Sequence, residues 1–123
     1  MIKTTLPAKR AIAQIVDEYR RLLDPGQKRA LPLRAFALAL SEALKPMQRS
    51  VSYQTIKNWG DRRYLPDPYT LLALSQSARN DWRADFAEDL LAIIHPEAYQ
   101  PASEIGRRAR REHLSQNGHG AHA

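Results

Sequence analysis

This sequence of 123 residues contains no cysteine. The absence excludes disulfides and thiolate metal sites, and it favours an intracellular setting. Long apolar runs are missing as well. No stretch approaches the ~20 apolar residues that cross a bilayer, and the opening MIKTTLPAKR lacks the apolar core of a signal peptide. We therefore expect a cytoplasmic protein without a membrane partner.

Signatures of catalysis are also missing. The sequence has no nucleophile elbow, no phosphate-binding glycine loop and no zinc-protease helix. Asp85, Glu88 and Asp89 share one predicted helix, but carboxylates need a pocket and unequal environments to act as acid and base. We interpret these three as the solvated back of an apolar stripe. The expectation is a protein without enzymatic activity, catalytic residues or a cofactor.

Basic charge is present, and its distribution is uneven. Lys and Arg number 19 against 13 Asp and Glu, which gives a net charge of +6. Residues 1–63 carry thirteen basic and five acidic side chains, whereas residues 81–104 carry one and six. Residues 105–123 carry four arginines and one glutamate. This asymmetry is typical of a polyanion-binding surface, although charge of this kind also serves solubility alone.

Apolar residues recur at spacings of three and four, and no segment alternates convincingly at period two. Capping residues and prolines mark the ends, with Ser52 before the third helix and Asp67-Pro68 before the fourth. The predicted helices cover residues 8–23, 33–44, 52–59, 68–78 and 81–94. The expected fold is all-α, a compact bundle of about five helices formed by residues 1–100.

The apolar pattern ends after Pro101, so residues 101–123 are predicted to form a disordered, flexible, basic tail. Within it, RRARR at 107–111 is either a mobile arm that contacts backbone phosphate or a solvated charge run. The tail histidines lack an ordered geometry for a metal, so no metal site is predicted. They are His113, His119 and His122.

The third predicted helix has only two firm apolar anchors, Ile56 and Trp59, and its opposite side is polar. The polar side chains suit base edges in the major groove, where an amide pairs with adenine and a lysine reaches guanine or phosphate. The candidate base-reading residues are Tyr53, Gln54, Lys57 and Asn58. Hydroxyls and free N–H groups at the helix start, and arginines after its end, suit phosphate. The candidate phosphate-binding residues are Ser52, Thr55, Arg62, Arg63 and Tyr64. The alternative is a solvated polar surface.

The stretch VSYQTIKNW…LPDPYTLLAL, preceded by LRAFALAL, resembles the helix-turn-helix of the phage-repressor-like (Xre/Cro type) DNA-binding family. The match covers about residues 33–78. It is carried by Val51, Ser52, Thr55, Ile56, Trp59, Pro66, Leu71 and Leu74. The resemblance implies that helix 52–59 reads double-stranded DNA through the residues named above. It further implies a nucleoid-associated transcriptional repressor or regulator.

Two departures from the family pattern affect this region. The family commonly has Glu where this chain has Gly60, and Gly where it has Arg62. We expect Gly60 to end the helix as a left-handed cap and Arg62 to meet phosphate. The connection KPMQRSV is also longer than the family's usual tight turn.

Two further questions stay open at this level. Helix-turn-helix proteins often pair across two half-sites, and either the Trp82–Ile94 helix or the first helix is a candidate seam for a homodimer. For the Trp82–Ile94 stripe the alternative is the core of the single chain, and the core is the favoured interpretation. A different class of function also fits: a protein-interaction module on the same fold, such as an antitoxin or assembly adaptor, whose third helix meets an acidic protein patch.

Overall fold

The computed structural model describes residues 6–23 and 31–121. The α-helices in these ranges are α1 (Leu6–Leu22), α2 (Leu33–Leu44), α3 (Tyr53–Gly60), α4 (Pro68–Ser77), α5 (Trp82–Ile94) and α6 (Glu104–Ala121). A 3-10 turn at Lys45–Met47 follows α2, and these ranges contain no strand. No helix among them is both long and apolar enough to span a bilayer. The predicted all-α bundle is confirmed, with one helix more than expected.

The helices share one hydrophobic core, and α1 has a central place in it. α1 contacts α3, α5 and α6, while α2 packs on α3 and α4, and α4 packs on α5. The rings of Phe36 and Phe86 meet edge to face in this core, with their centroids 5.3 Å apart. The largest fully buried apolar side chains are Ile12, Ile15, Phe36, Leu40, Leu44, Ile56, Leu71, Leu74, Phe86, Leu90 and Leu91.

Side-chain caps fix where three of the helices begin. Ser52 Oγ accepts the N–H of Thr55 at 3.2 Å, and the carboxylate of Asp67 accepts the N–H of Tyr69 at 3.2 Å. Asp81 caps α5 in the same way. Each cap binds an N–H group that has no acceptor within the helix, which typically adds ~1 kcal/mol. The predicted starts of α3, α4 and α5 are thereby confirmed.

Helix α6 is the main difference from the sequence prediction. The segment expected to be a disordered tail is helical and packs against α1 and α5. Ala109 is fully buried, His113 is buried, and Ile105 packs against the core from a half-buried position. These three residues are four apart and share a face, but only Ile105 is large and apolar. The prediction of disorder is therefore wrong for residues 104–115, because a close-packed face is built there from small and polar side chains.

Asp89 corrects a second prediction, because it is fully buried rather than solvated. Its Oδ2 accepts the hydroxyl of Tyr19 at 2.6 Å, and its Oδ1 accepts the backbone N–H groups of Ala102 and Ser103 at 2.8 and 3.0 Å. The Ser103 hydroxyl also bonds this carboxylate. A Cβ added at Gly106 would overlap the Asp89 carboxylate. Asp89 thus joins α1, α5 and the start of α6 through satisfied hydrogen bonds.

The other two carboxylates of that predicted stripe lie closer to solvent, since Asp85 is exposed and Glu88 is half-buried. Partial desolvation by the neighbouring protein raises the pKa of Asp85, and the negative charges of Asp89 and Asp81 add to the rise. Burial also raises the pKa of Glu88, with further repulsion from Asp85 and Asp89. Only these two of the three carboxylates fit the solvent-facing position that the sequence predicted.

Both helices that were candidates for a dimer seam direct their apolar stripes into this core. Phe86 and Leu90 of α5 are fully buried, and Trp82 and Ile94 pack against the same cluster. Ile15 of α1 is fully buried as well. These stripes serve the fold of the single chain. A homodimer stays a prediction and needs a different surface.

Candidate nucleic-acid interface

Helix α3 is held from one side only. Ile56 is fully buried and Trp59 nearly so, and Val51 just before the helix joins them in the core. These residues pack α3 against α1 and α2. With the apolar side fixed, the remaining side chains of this eight-residue helix face outward.

The long connection between α2 and α3 has a defined conformation. After the 3-10 turn, Gln48 adopts a left-handed φ of 55°. The chain is then attached to α2 by Ser41, whose Oγ accepts the N–H of Val51 and donates to its carbonyl, both at 3.0 Å. These two hydrogen bonds to the backbone of Val51 fix the position at which α3 starts.

The four predicted base-reading side chains lie on the outward side. Tyr53, Gln54 and Lys57 are exposed and Asn58 is half-buried. The Gln54 Nε2 donates to Asn58 Oδ1 at 3.3 Å, one helical turn away. Gln54 keeps its carbonyl oxygen and a second N–H, which together form the donor–acceptor pair that an adenine edge requires. The hydrogen bond therefore orients both amides without using up that pair.

At the start of α3, the two hydroxyls predicted to bind phosphate are engaged with each other. Ser52 Oγ and Thr55 Oγ1 lie 3.1 Å apart, and Ser52 also caps the helix. Ser52 is exposed and Thr55 is half-buried. Ser52 caps the start of α3, and an anion here would meet the exposed Ser52 first.

The end of α3 differs from the prediction in an informative way. Gly60 stays helical, and the left-handed residue is Arg62, with φ 63°. The N–H of Arg62 bonds the Trp59 carbonyl at 3.2 Å, and the N–H of Arg63 bonds the Asn58 carbonyl at 2.9 Å. This pair of bonds is the Schellman arrangement, in which glycine is favoured at the left-handed position. The prediction that Gly60 forms the cap is wrong.

Arg62 therefore occupies the position where the phage-repressor-like family, which this stretch resembles, commonly has glycine. A left-handed conformation costs a residue with a side chain ~1–2 kcal/mol. Arg62, Arg63 and Tyr64 are all exposed directly after the helix. We call this segment, residues 62–64, the basic loop. An unfavourable backbone conformation at an exposed arginine is the kind of outlier that points to function.

Arg34 belongs to this surface although sequence reasoning missed it. Its guanidinium carbon lies 4.8 Å from the ring centroid of Tyr53, within range of a cation–π contact. Both residues are exposed. Arg34 stands in the first turn of α2, far from α3 along the chain, so no local pattern could pair it with Tyr53. The contact places a cation over the face of the Tyr53 ring.

The arginines of α6 do not form the mobile arm that the sequence suggested. Arg108 pairs with Glu18 of α1 at 2.7 Å, which ties α6 to the body of the protein. Burial lowers the pKa of His113, and the charge of Arg110 lowers it further. The described residues hold no group of three or more His, Asp or Glu side chains placed to bind a metal. The side chains of His119 and His122 fall outside the described part.

Comparison with known proteins gives no identification, because no family model, no curated protein and no solved structure matches this chain. The function is therefore argued from the chemistry of the interface itself.

Proposed function

We propose that this protein binds double-stranded DNA in a sequence-specific manner, with α3 in the major groove, and acts as a transcriptional repressor or regulator on the nucleoid. One observation carries the proposal. A short helix fixed by Ile56 and Trp59 presents an amide pair and Lys57 outward, and an exposed basic loop follows it. The role is one of binding rather than catalysis.

The chemistry of each side chain decides whether it is proposed to read bases or to bind phosphate. An amide with a free donor and acceptor matches one base edge, so Gln54 and Asn58 are the residues proposed to select sequence. Phosphates look the same at every base pair, so Arg62 and Arg63 are proposed to fix the position of the helix on the backbone. Lys57 and Tyr53 are exposed on the same helix, and their side chains suit either a base edge or a phosphate.

A protein partner is the second candidate, and one observation favours it. Tyr64 and Tyr69 are exposed by 67% and 70%. Tyrosine is enriched at the centres of protein interfaces, where it supplies both apolar area and a hydrogen bond. In that case the same basic surface binds an acidic protein patch, as an antitoxin or assembly adaptor would.

Selection of bound oligonucleotides, followed by titration of the selected and a scrambled duplex across a salt series, tests the proposal. Gln54→Ala and Asn58→Ala are each expected to lose ~1–3 kcal/mol on the selected duplex only. Arg62→Gln and Arg63→Gln are expected to weaken both duplexes and to reduce the salt slope by about one unit each.

Arg111→Gln is the matched control for the arginine variants. It removes the same charge from an exposed position on α6, which contacts α1 and α5. We expect it to leave binding of both duplexes close to that of the parent. Failure to select any duplex, or parental binding by the Gln54 and Asn58 variants, would reject the DNA proposal and favour the protein partner.

A further inference from the structure

A groove of about 410 Å³ lies between the turn that precedes α6 and one face of that helix. It is separate from the proposed DNA surface, since none of its lining residues belongs to α3 or to the basic loop. Its lining combines three arginines with apolar and amide groups: Gln100, Pro101, Arg107, Arg110, Arg111 and Leu114.

The guanidinium of Arg110 is held in place by hydrogen bonds that leave its positive charge uncompensated. Its Nη2 donates to the Pro96 carbonyl at 3.1 Å, and its Nη1 donates to Gln100 Oε1 at 3.1 Å. A longer bond of 3.5 Å reaches the Tyr99 carbonyl. All three acceptors are uncharged, so the guanidinium is oriented by neutral oxygens. Its buried Nε has no hydrogen-bond partner among the described residues, which leaves a donor unused.

The other two arginines of the groove are only weakly compensated. Arg107 and Arg111 both approach the single carboxylate of Glu104, at 3.5 and 3.4 Å. Their side chains are 62% and 71% exposed, and exposed pairs of this kind contribute ~0–1 kcal/mol. Arg107 and Arg111 also stand one helical turn apart, where like charges repel. Three positive charges therefore line the groove, and the one carboxylate near them, that of Glu104, offsets them only in part.

We propose that this groove binds a small organic anion, one that carries a phosphate or carboxylate group on an apolar body. Arginine forms charge-assisted bonds with either group, and the fixed Arg110 provides an orientation before binding. Pro101 and the exposed Leu114 offer apolar contact for the rest of the ligand. The volume is that of an ordinary small-molecule site. The inference stands independently of DNA binding.

Titration calorimetry with the full chain tests the site, with phenyl phosphate as the probe. Saturable binding is expected, tighter than that of inorganic phosphate because the ring adds apolar contact, and absent with neutral phenol. The double variant Arg107→Gln/Arg111→Gln is expected to lose about tenfold or more in affinity, since two charge-assisted bonds are removed. Both positions are exposed, and unchanged helical circular dichroism checks that the variant folds.

Arg108→Gln is the matched control. It removes the same charge from the same segment, but Arg108 pairs with Glu18 and does not line the groove. Parental affinity for phenyl phosphate is expected. Equal losses in Arg108→Gln and the groove variant would show a net-charge effect and overturn the proposal.

Two other results would also overturn it. One is the lack of saturable binding of phenyl phosphate by the parent up to about 10 mM, beyond which an affinity is too weak to be specific. The other is a groove variant that loses salt-dependent affinity for a duplex while its affinity for phenyl phosphate stays at the parental value. That result would assign the arginines to DNA phosphate instead of to a small anion.

Discussion

Arg62 has a left-handed backbone conformation, which suits glycine better than arginine. Arg62→Gly is expected to raise the free energy of unfolding by ~1 kcal/mol, because the left-handed strain of a residue with a side chain disappears. The same variant is expected to weaken binding of every duplex. Urea denaturation measures the first effect and titration of two duplexes the second.

Arg63→Gly provides the control for this change. Residue 63 is not among the positive-φ positions, so glycine there only adds freedom to the unfolded chain and is expected to lower stability. If Arg62→Gly were the less stable of the two, the Schellman arrangement at the end of α3 would be wrong.

The contact of Arg34 with Tyr53 makes a prediction that rests on the proposed function. Arg34→Gln and Tyr53→Leu are each expected to weaken the selected duplex, and together to cost less than the sum, because either change removes the same cation–π contact of ~0.5–1 kcal/mol. Tyr53→Phe keeps the ring and is expected to preserve the coupling. Additive losses in the double-mutant cycle would show that Arg34 and Tyr53 act separately.

Tyr19 links stability to alkaline pH. Burial, then the hydrogen bond to Asp89, raises its pKa far above the ordinary 10.0. The folded state therefore keeps the phenol proton when the unfolded state loses it, so stability is complete below about pH 10 and falls as the pH rises beyond it. Tyr19→Phe is expected to be less stable at pH 8 and to show a flatter decline above pH 10. Denaturant unfolding at several pH values measures the slopes, and equal slopes would contradict this account.

At the scale of helices, two glycines make a matched pair. A Cβ at Gly106 would overlap the Asp89 carboxylate, whereas a Cβ at Gly60 would meet nothing within 4 Å. Gly106→Ala is expected to destabilise the protein by ~1–3 kcal/mol as α6 is forced away from α5. Gly60→Ala is expected to stabilise it by up to ~1 kcal/mol, because alanine favours the helix. Thermal unfolding checks both signs. A neutral Gly106→Ala would mean that α6 does not approach Asp89 this closely.

Periodicity and caps were sufficient to predict α1 to α5, because each has large apolar residues on one face and most have a recognisable end. They failed for α6, where Ala109 and His113 take the inward positions. A signal was present in Ser103, whose Oγ accepts the N–H of Gly106 in the manner of a helix cap. Asp89 was misplaced because charge was given more weight than position, although it lies three residues after Phe86 on the inward face.

For the whole molecule, the outward side of α3 was predictable because its two anchors define which face is buried. Arg34 was not, since its approach to Tyr53 depends on how α2 packs on α3. The groove on α6 could not be predicted from the sequence either, because Arg110 and Gln100 come into contact only when α6 packs beside the turn that precedes it. Sequence patterns identify faces of single helices, while sites shared by two elements require the tertiary structure.

The central position of α1 makes α6 a support for the proposed DNA surface, since α1 lies between α6 and α3. A chain ending at Ser103 would leave the buried Asp89 without the ordered helix start that satisfies it, and would expose the faces of α1 and α5. We expect a loss of ~3 kcal/mol or more, a large share of a small domain's stability, and weaker binding of the selected duplex as α3 loosens.

A chain ending at Ser115 keeps Ala109 and His113 and is the control, with near-parental stability expected. Urea denaturation and duplex titration of both truncations make the comparison. Equal stability of the parent and the chain ending at Ser103 would contradict the packing of α6. An unfolded short chain beside a stable longer one would show that residues 104–115 are the part of the basic C-terminal segment on which the whole fold depends.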